Sequence, residues 1–179
     1  MLDRRRGEKR SALRLVLHAD TGSPMMGSRS LDVVGLGYTS WDYVGLVEDV
    51  PPFDAPTGSM ADFAASGGGP VSSAVVALAR LGAQTGYLGV VGDDEPGLKI
   101  KSGLQQEGVD VSHLCVREGK RTAVCLVFVH VATGRRSIAC YRGTSGELRL
   151  AESDRAYVTS ARVLHLDGHH MAAAITAAR

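Results

Sequence analysis

Apolar residues along this chain fall into two kinds of run. Leu31 to Leu36, apolar but for Asp32, reads as a strand covered on both faces, and Gly86 to Gly92 and Arg162 to Leu166 (RVLHL) read the same way. From Val71 the spacing changes. Val75, Leu78 and Ala79 recur at helical intervals until Gly82, and Pro70 suits a first helical turn because it has no N–H to leave unpaired. Almost every residue from Val71 to Leu81 is small or apolar, Ser72, Ser73 and Arg80 excepted, so the pattern predicts a helix buried on most sides. A second helix opens at Asp94, Glu95 and Pro96, where the acids suit the positive end of the helix dipole, and ends at Gly108; another begins near Met171.

Two further stretches stand outside these runs. Tyr38 to Val47 reads as a polar turn followed by a strand, with Pro51 and Pro52 after it. Thr122 to Val131 and Arg136 to Tyr141 are strand-like runs joined by Ala132, Thr133, Gly134 and Arg135, which is hairpin chemistry and predicts a separate small sheet. Ser66 to Gly69 reads as a loop feeding the helix at Pro70. Its glycines let the backbone approach a ligand closely, and the first helical turn offers unpaired N–H donors to an oxygen-rich ligand. The same glycines are also what a tight turn before a packed helix uses. The GLG of residues 35–37 lacks the third glycine opening a helix that a dinucleotide site needs.

Length and composition narrow the picture. A chain of 179 residues, 44% hydrophobic, is sized for one globular domain with a real core. The net charge of +1 hides a split, because Met1 to Arg10 holds five basic and two acidic residues, leaving fifteen basic against seventeen acidic in the remainder. That remainder carries no Lys/Arg stripe of the kind a nucleic-acid partner requires. Residues 1–30 are expected to be a disordered tail preceding the domain at 31–179, with Met25 or Met26 as alternative starts. Cys115, Cys125 and Cys140 lack CxxC spacing, which predicts free thiols in a cytoplasmic protein rather than a disulfide or zinc site. The longest apolar run, Val124 to Ala132, is broken by His130 and is too short to span a bilayer, so no membrane partner is expected. His165, His169 and His170 do not share one helical face, and no acid or thiol nearby has metal spacing.

The run GGPVSSAVVALARLG (Gly68 to Gly82), followed by GYLGVVGDDEPG (Gly86 to Gly97), resembles the first signature of the ribokinase-like, or PfkB, carbohydrate kinases. That signature has paired glycines, an asparagine, and glycines nine and nineteen residues on; Gly82 and Gly92 hold the later positions and Ser73 stands where the asparagine is expected. Val71 and Val75 also depart from it, each replacing a smaller residue. The resemblance runs from about Leu31 to Arg179 and covers the N-terminal half of such an enzyme.

The resemblance implies a ribokinase-like α/β fold: a parallel sheet flanked by helices, with a small β-lid near residues 38–50 and 122–142. Its C-terminal nucleotide-binding half would be absent. It further implies an ATP- and Mg²⁺-dependent kinase for a small sugar or sugar acid, and a full-length homodimer through the lid. The catalytic base and the nucleotide site would lie in a later glycine-rich Asp motif that this chain lacks, so the chain itself is expected to be inactive and to carry no catalytic residue. The substrate contacts implied are Asp42, Gly68, Gly69, Ser73, Arg142 and Asp167. Asp42 also reads as a turn cap, Arg142 as a solvated strand-end arginine, and Asp167 as a helix N-cap. Arg142 and Tyr141 resemble the pair with which 2-keto-3-deoxygluconate kinases hold an acidic sugar. A non-catalytic sugar-binding module and a nucleoside kinase of the adenosine type are the alternatives.

Overall fold

The computed structural model describes residues 31–54 and 57–179. The expectation for residues 1–30 lies outside them. In chain order the elements are β1 (Val33–Leu36), β2 (Ser40–Val47), β3 (Asp62–Gly68), α1 (Pro70–Arg80), β4 (Thr85–Gly92), α2 (Glu95–Gln106), β5 (Leu114–Arg117), β6 (Val124–His130), β7 (Arg136–Tyr141), α3 (Glu152–Thr159), β8 (Val163–Leu166) and α4 (Met171–Ala177). They form two four-stranded sheets, ordered β5-β4-β1-β8 and β3-β2-β6-β7.

The first sheet is parallel throughout. β4 lies inside it, and all eight of its residues are buried, which is why its sequence is an apolar run without alternation. One face packs Tyr87 and Val91 against Val71 and Val75 of α1 and Ile100 and Leu104 of α2. The other packs Val34, Leu36 and Leu88 against Val158 of α3 and Ala173 and Ala174 of α4. Each such side chain contributes roughly 1.5–3 kcal/mol on burial. Gly35 sets the spacing of the first layer, because a Cβ there would fall 2.5 Å from Val71 and 2.6 Å from Val75. Helix α1 therefore rests directly on β1.

The second sheet mixes directions: β2 runs antiparallel to β3 and parallel to β6, and β6 pairs antiparallel with β7. It is the separate small sheet that the hairpin predicted. Asp94 ties it to the first layer. As N-cap of α2 it accepts from the Gly97 N–H at 3.2 Å, and also from the Thr122 N–H at 3.0 Å and the Thr122 hydroxyl, just ahead of β6. Among the described residues, no helix is long and apolar enough to cross a membrane.

Four expectations change. Gly67 and Gly68 are not loop: they close β3, opposite Trp41 and Ser40, and only Gly69 stands at the helix N-cap. Helix α1 buries Val71, Ser72 and Val75 but exposes Ser73, Ala77 and Arg80, because a single face rests on the sheet and small residues do not by themselves attract a second layer. The sequence predicts a buried strand at β8, yet Val163 is 53% exposed, since β8 is the edge of its sheet. Cys125 and Cys140 are bonded to each other, not free thiols. The antiparallel register sets them opposite one another with Cα atoms 4.1 Å apart, a proximity that spacing along the chain does not reveal. Cys115 is free.

Candidate functional site

The site forms where β1 and β8 end and the chain crosses to the second sheet. After β1, Gly37, Tyr38 and Thr39 lead into β2. Asp167 follows β8 and fastens this crossing: one carboxylate oxygen accepts the Tyr38 N–H and the other the His169 N–H, each at 2.9 Å. Its side chain is 4% exposed. Gly37 lets the carboxylate come this close, because a Cβ there would lie 2.5 Å from both oxygens. From below, the fully buried Tyr87 donates its hydroxyl to the Gly37 carbonyl at 2.8 Å. Burial raises the Tyr87 phenol far above its usual range, and Asp167 adds to that, so it stays a neutral donor.

Asp42 lies two residues into β2 and is half-buried. One of its oxygens accepts the Ser40 hydroxyl at 2.6 Å, and the other lies against Gly68, where a Cβ would overlap it. Alternation along β2 puts Ser40 and Asp42 on one face and Trp41 on the other. Arg142, just past β7, is exposed, and its charge reaches Tyr38, as does that of Asp42. Burial raises the Tyr38 phenol above its ordinary value, opposed by the Ser40 hydroxyl and Arg142 and reinforced by Asp42. The His169 ring stacks on Tyr38 with centroids 4.9 Å apart, and its Nδ1 sits 3.2 Å from an Asp167 oxygen without forming a hydrogen bond. A cavity of about 220 Å³ opens here between Tyr38, Arg142, Gly143 and His169.

Gly69 packs against the crossing itself, whereas Ser73 points into a different groove. Gly69 has φ 108°, and a Cβ there would meet the Tyr38 carbonyl, so its conformation and its neighbours both call for glycine. Ser72, not Ser73, is the buried hydroxyl of the first turn, donating to the Gly68 carbonyl at 2.6 Å. Ser73 is exposed and, with Trp41, Ser72 and Val76, lines a separate groove of about 650 Å³ between α1 and α2. At the far end of that groove Arg80 grips Glu107 through two hydrogen bonds.

The sequence pattern does not single out Tyr38 or Ser40, and it raises His169 only as a metal ligand. The first two follow from strand alternation and from the turn ahead of Asp42; His169 follows Asp167 by two residues and faces back on it. Arg117 was passed over too. Its guanidinium donates to the carbonyls of Ser145 and Glu147, fixing the loop that follows Arg142.

Residues 30–178 match the profile of the pfkB family carbohydrate kinases. The chain belongs to that family. It is 33% identical over 142 residues to fructokinase-1 of Oryza sativa subsp. japonica, covering 78% of this chain and 42% of that enzyme. It is 30% identical over 155 residues to the 5-dehydro-2-deoxygluconokinase of Shouchella clausii (strain KSM-K16), covering 84% and 45%. Among solved structures, a putative ribokinase from Agrobacterium tumefaciens superposes with TM-score 0.70 at 24% identity over 79% of this chain and 45% of that one. Arabidopsis thaliana ribokinase complexed with ribose and ATP gives 0.65 at 22%, over 76% and 45%. These superpositions establish the ribokinase-like fold. The chain thus spans less than half the length of these pfkB relatives.

The residues gathered at the site do not suit a nucleoside triphosphate. Asp42 and Asp167 are acids built into it, Arg142 lies at its edge, and the cradle beside Gly68 is filled by a carboxylate. A like charge placed there is repelled. What the arrangement can do is accept hydrogen bonds from neutral hydroxyls.

Proposed function

We propose that this chain supplies the sugar-binding half of an ATP-dependent carbohydrate kinase that phosphorylates a hydroxyl of a small sugar or sugar acid. The observation that carries the reading is the Asp42 carboxylate, held by Ser40 and set against Gly68. A carboxylate with lone pairs to spare accepts from neighbouring hydroxyls of a polyol, and Gly68, lacking a side chain, leaves room for that carboxylate. Residues around Asp42 orient the substrate, while the base, ATP and Mg²⁺ are assigned to residues outside this chain. Arg142 borders the cavity beside Tyr38 and His169, and its guanidinium there suits a carboxylated sugar as one substrate class.

Thermal shift of the protein with D-fructose, D-ribose, 2-keto-3-deoxygluconate and adenosine tests the reading. A sugar or sugar acid that stabilises the wild type and fails to stabilise Asp42→Ala supports it; a response to adenosine alone replaces it with a nucleoside kinase. Sugar binding without ATP turnover in a chain extended to the length of its relatives supports a non-catalytic binding module. We also propose that the lid sheet is the homodimer contact. Register sets Tyr43, Leu126 and Tyr141 on one face with Phe63, and the last three are 47%, 46% and 56% exposed respectively. Leu126→Asp is expected to yield a monomer by light scattering.

A further inference from the structure

Sugar binding leaves one feature of the second sheet unused. Register places Ser66, Asp42, Cys125 and Cys140 in a single row across β3, β2, β6 and β7, so the sulfur pair shares a face with the Asp42 carboxylate. Cys125 is 5% exposed, whereas Cys140 lies on the outer strand and is exposed. The hairpin register holds the two Cα atoms 4.1 Å apart, well inside the separation beyond which a bridge would require the backbone to move. An attacking thiolate reaches the Cys140 sulfur from solvent, and exposed disulfides are the exchangeable ones. The remaining cysteine, Cys115, belongs to β5 in the other sheet.

We infer that Cys125 and Cys140 form a reversible redox site that staples the β6–β7 hairpin. On oxidation the two thiols lose two electrons and two protons and an S–S bond forms; a small-molecule disulfide such as oxidised glutathione takes up both and leaves as two thiols. The exchange runs through a mixed disulfide on the exposed Cys140. What the bond changes is the outer strand. All six residues of β7 are exposed and β7 is bonded to β6 alone, so in the dithiol state it opens easily. In the disulfide state the strand end leading to Arg142 is held. The assignment is independent of which substrate the site takes.

The test uses the whole chain equilibrated with oxidised glutathione or with dithiothreitol, acid-quenched, alkylated in denaturant and weighed. One alkylated cysteine, Cys115, is expected under oxidant and three under reductant, with β7 amides exchanging about tenfold more slowly in the oxidised form. Three alkylated cysteines under oxidant, a stable glutathione adduct in place of the bond, a bond that dithiothreitol leaves closed, or equal exchange in both states overturns the inference. Cys140→Ser, at an exposed position, is expected to abolish the redox difference in exchange, and Cys140→Ala to do the same if serine disturbs the strand. A difference that survives in either variant also overturns it.

Discussion

The carboxylate of Asp42 occupies the space that a side chain at Gly68 would need. Substituting Gly68 by alanine therefore displaces Asp42 without altering its charge. We expect Gly68→Ala to lose sugar-induced stabilisation nearly as fully as Asp42→Ala, while its unliganded melting temperature falls by a few degrees at most. Calorimetric titration with the sugar that stabilises the wild type checks this, and undiminished affinity in Gly68→Ala would separate the glycine from the site.

In the proposed site, Arg142 would discriminate between substrates by charge. Arg142→Ala is expected to weaken binding of 2-keto-3-deoxygluconate about tenfold, as loss of a charge-assisted contact does, while leaving a neutral sugar within twofold or so. Equal losses for both classes would show that Arg142 holds the loop and not the ligand.

Asp94 gives stability a pH dependence. Burial works to raise its pKa but is outweighed by the Thr122 hydroxyl, the Thr122 N–H and the Gly97 N–H, leaving it below the usual carboxylate value. A depressed folded pKa means that the contribution is complete above the unfolded value of about 3.9 and disappears as pH falls through the lower folded one. Asp94→Ala should cost about 1–2 kcal/mol at neutral pH, the worth of a lost cap. Urea denaturation at pH 7 and at about pH 3 should show the gap between wild type and variant narrowing in acid.

Gly35 offers a purely structural control. A methyl group there meets Val71 and Val75 of α1, so Gly35→Ala should destabilise the fold by about 1–3 kcal/mol, with sugar affinity falling only through the folded fraction. Pairing it with Val71→Ala, which vacates the contested space, should recover part of the loss.

The parallel sheet could be read from the chain because Leu31 to Leu36, apolar but for Asp32, and Gly86 to Gly92 stand out as apolar runs, and α1 and α2 carry proline in the first turn and glycine just past the end. β3 could not, since DFAASGG is mostly exposed and pairs with β2 through its backbone, leaving little apolar signature. The same holds for β5 and α3, short elements with a single buried residue each. In the candidate site, the glycines are legible through a family signature, and Asp42 and Asp167 through the places where the resembling family puts substrate contacts. Tyr38 and His169 meet by stacking across a separation that no local pattern encodes. The cysteine pair escaped notice for a similar reason: fifteen residues separate its members along the chain, and only the hairpin register brings them together.

The hydroxyl of Tyr87 reaches from the middle of the parallel sheet to the Gly37 carbonyl. The crossing that presents Tyr38 and Asp42 is thus suspended from the core, and is not a surface loop free to drift on its own. A random-mutagenesis screen for altered ligand preference should accordingly return changes at Tyr87 and its packing partners Val71, Val75 and Val91, none of which could touch a bound molecule.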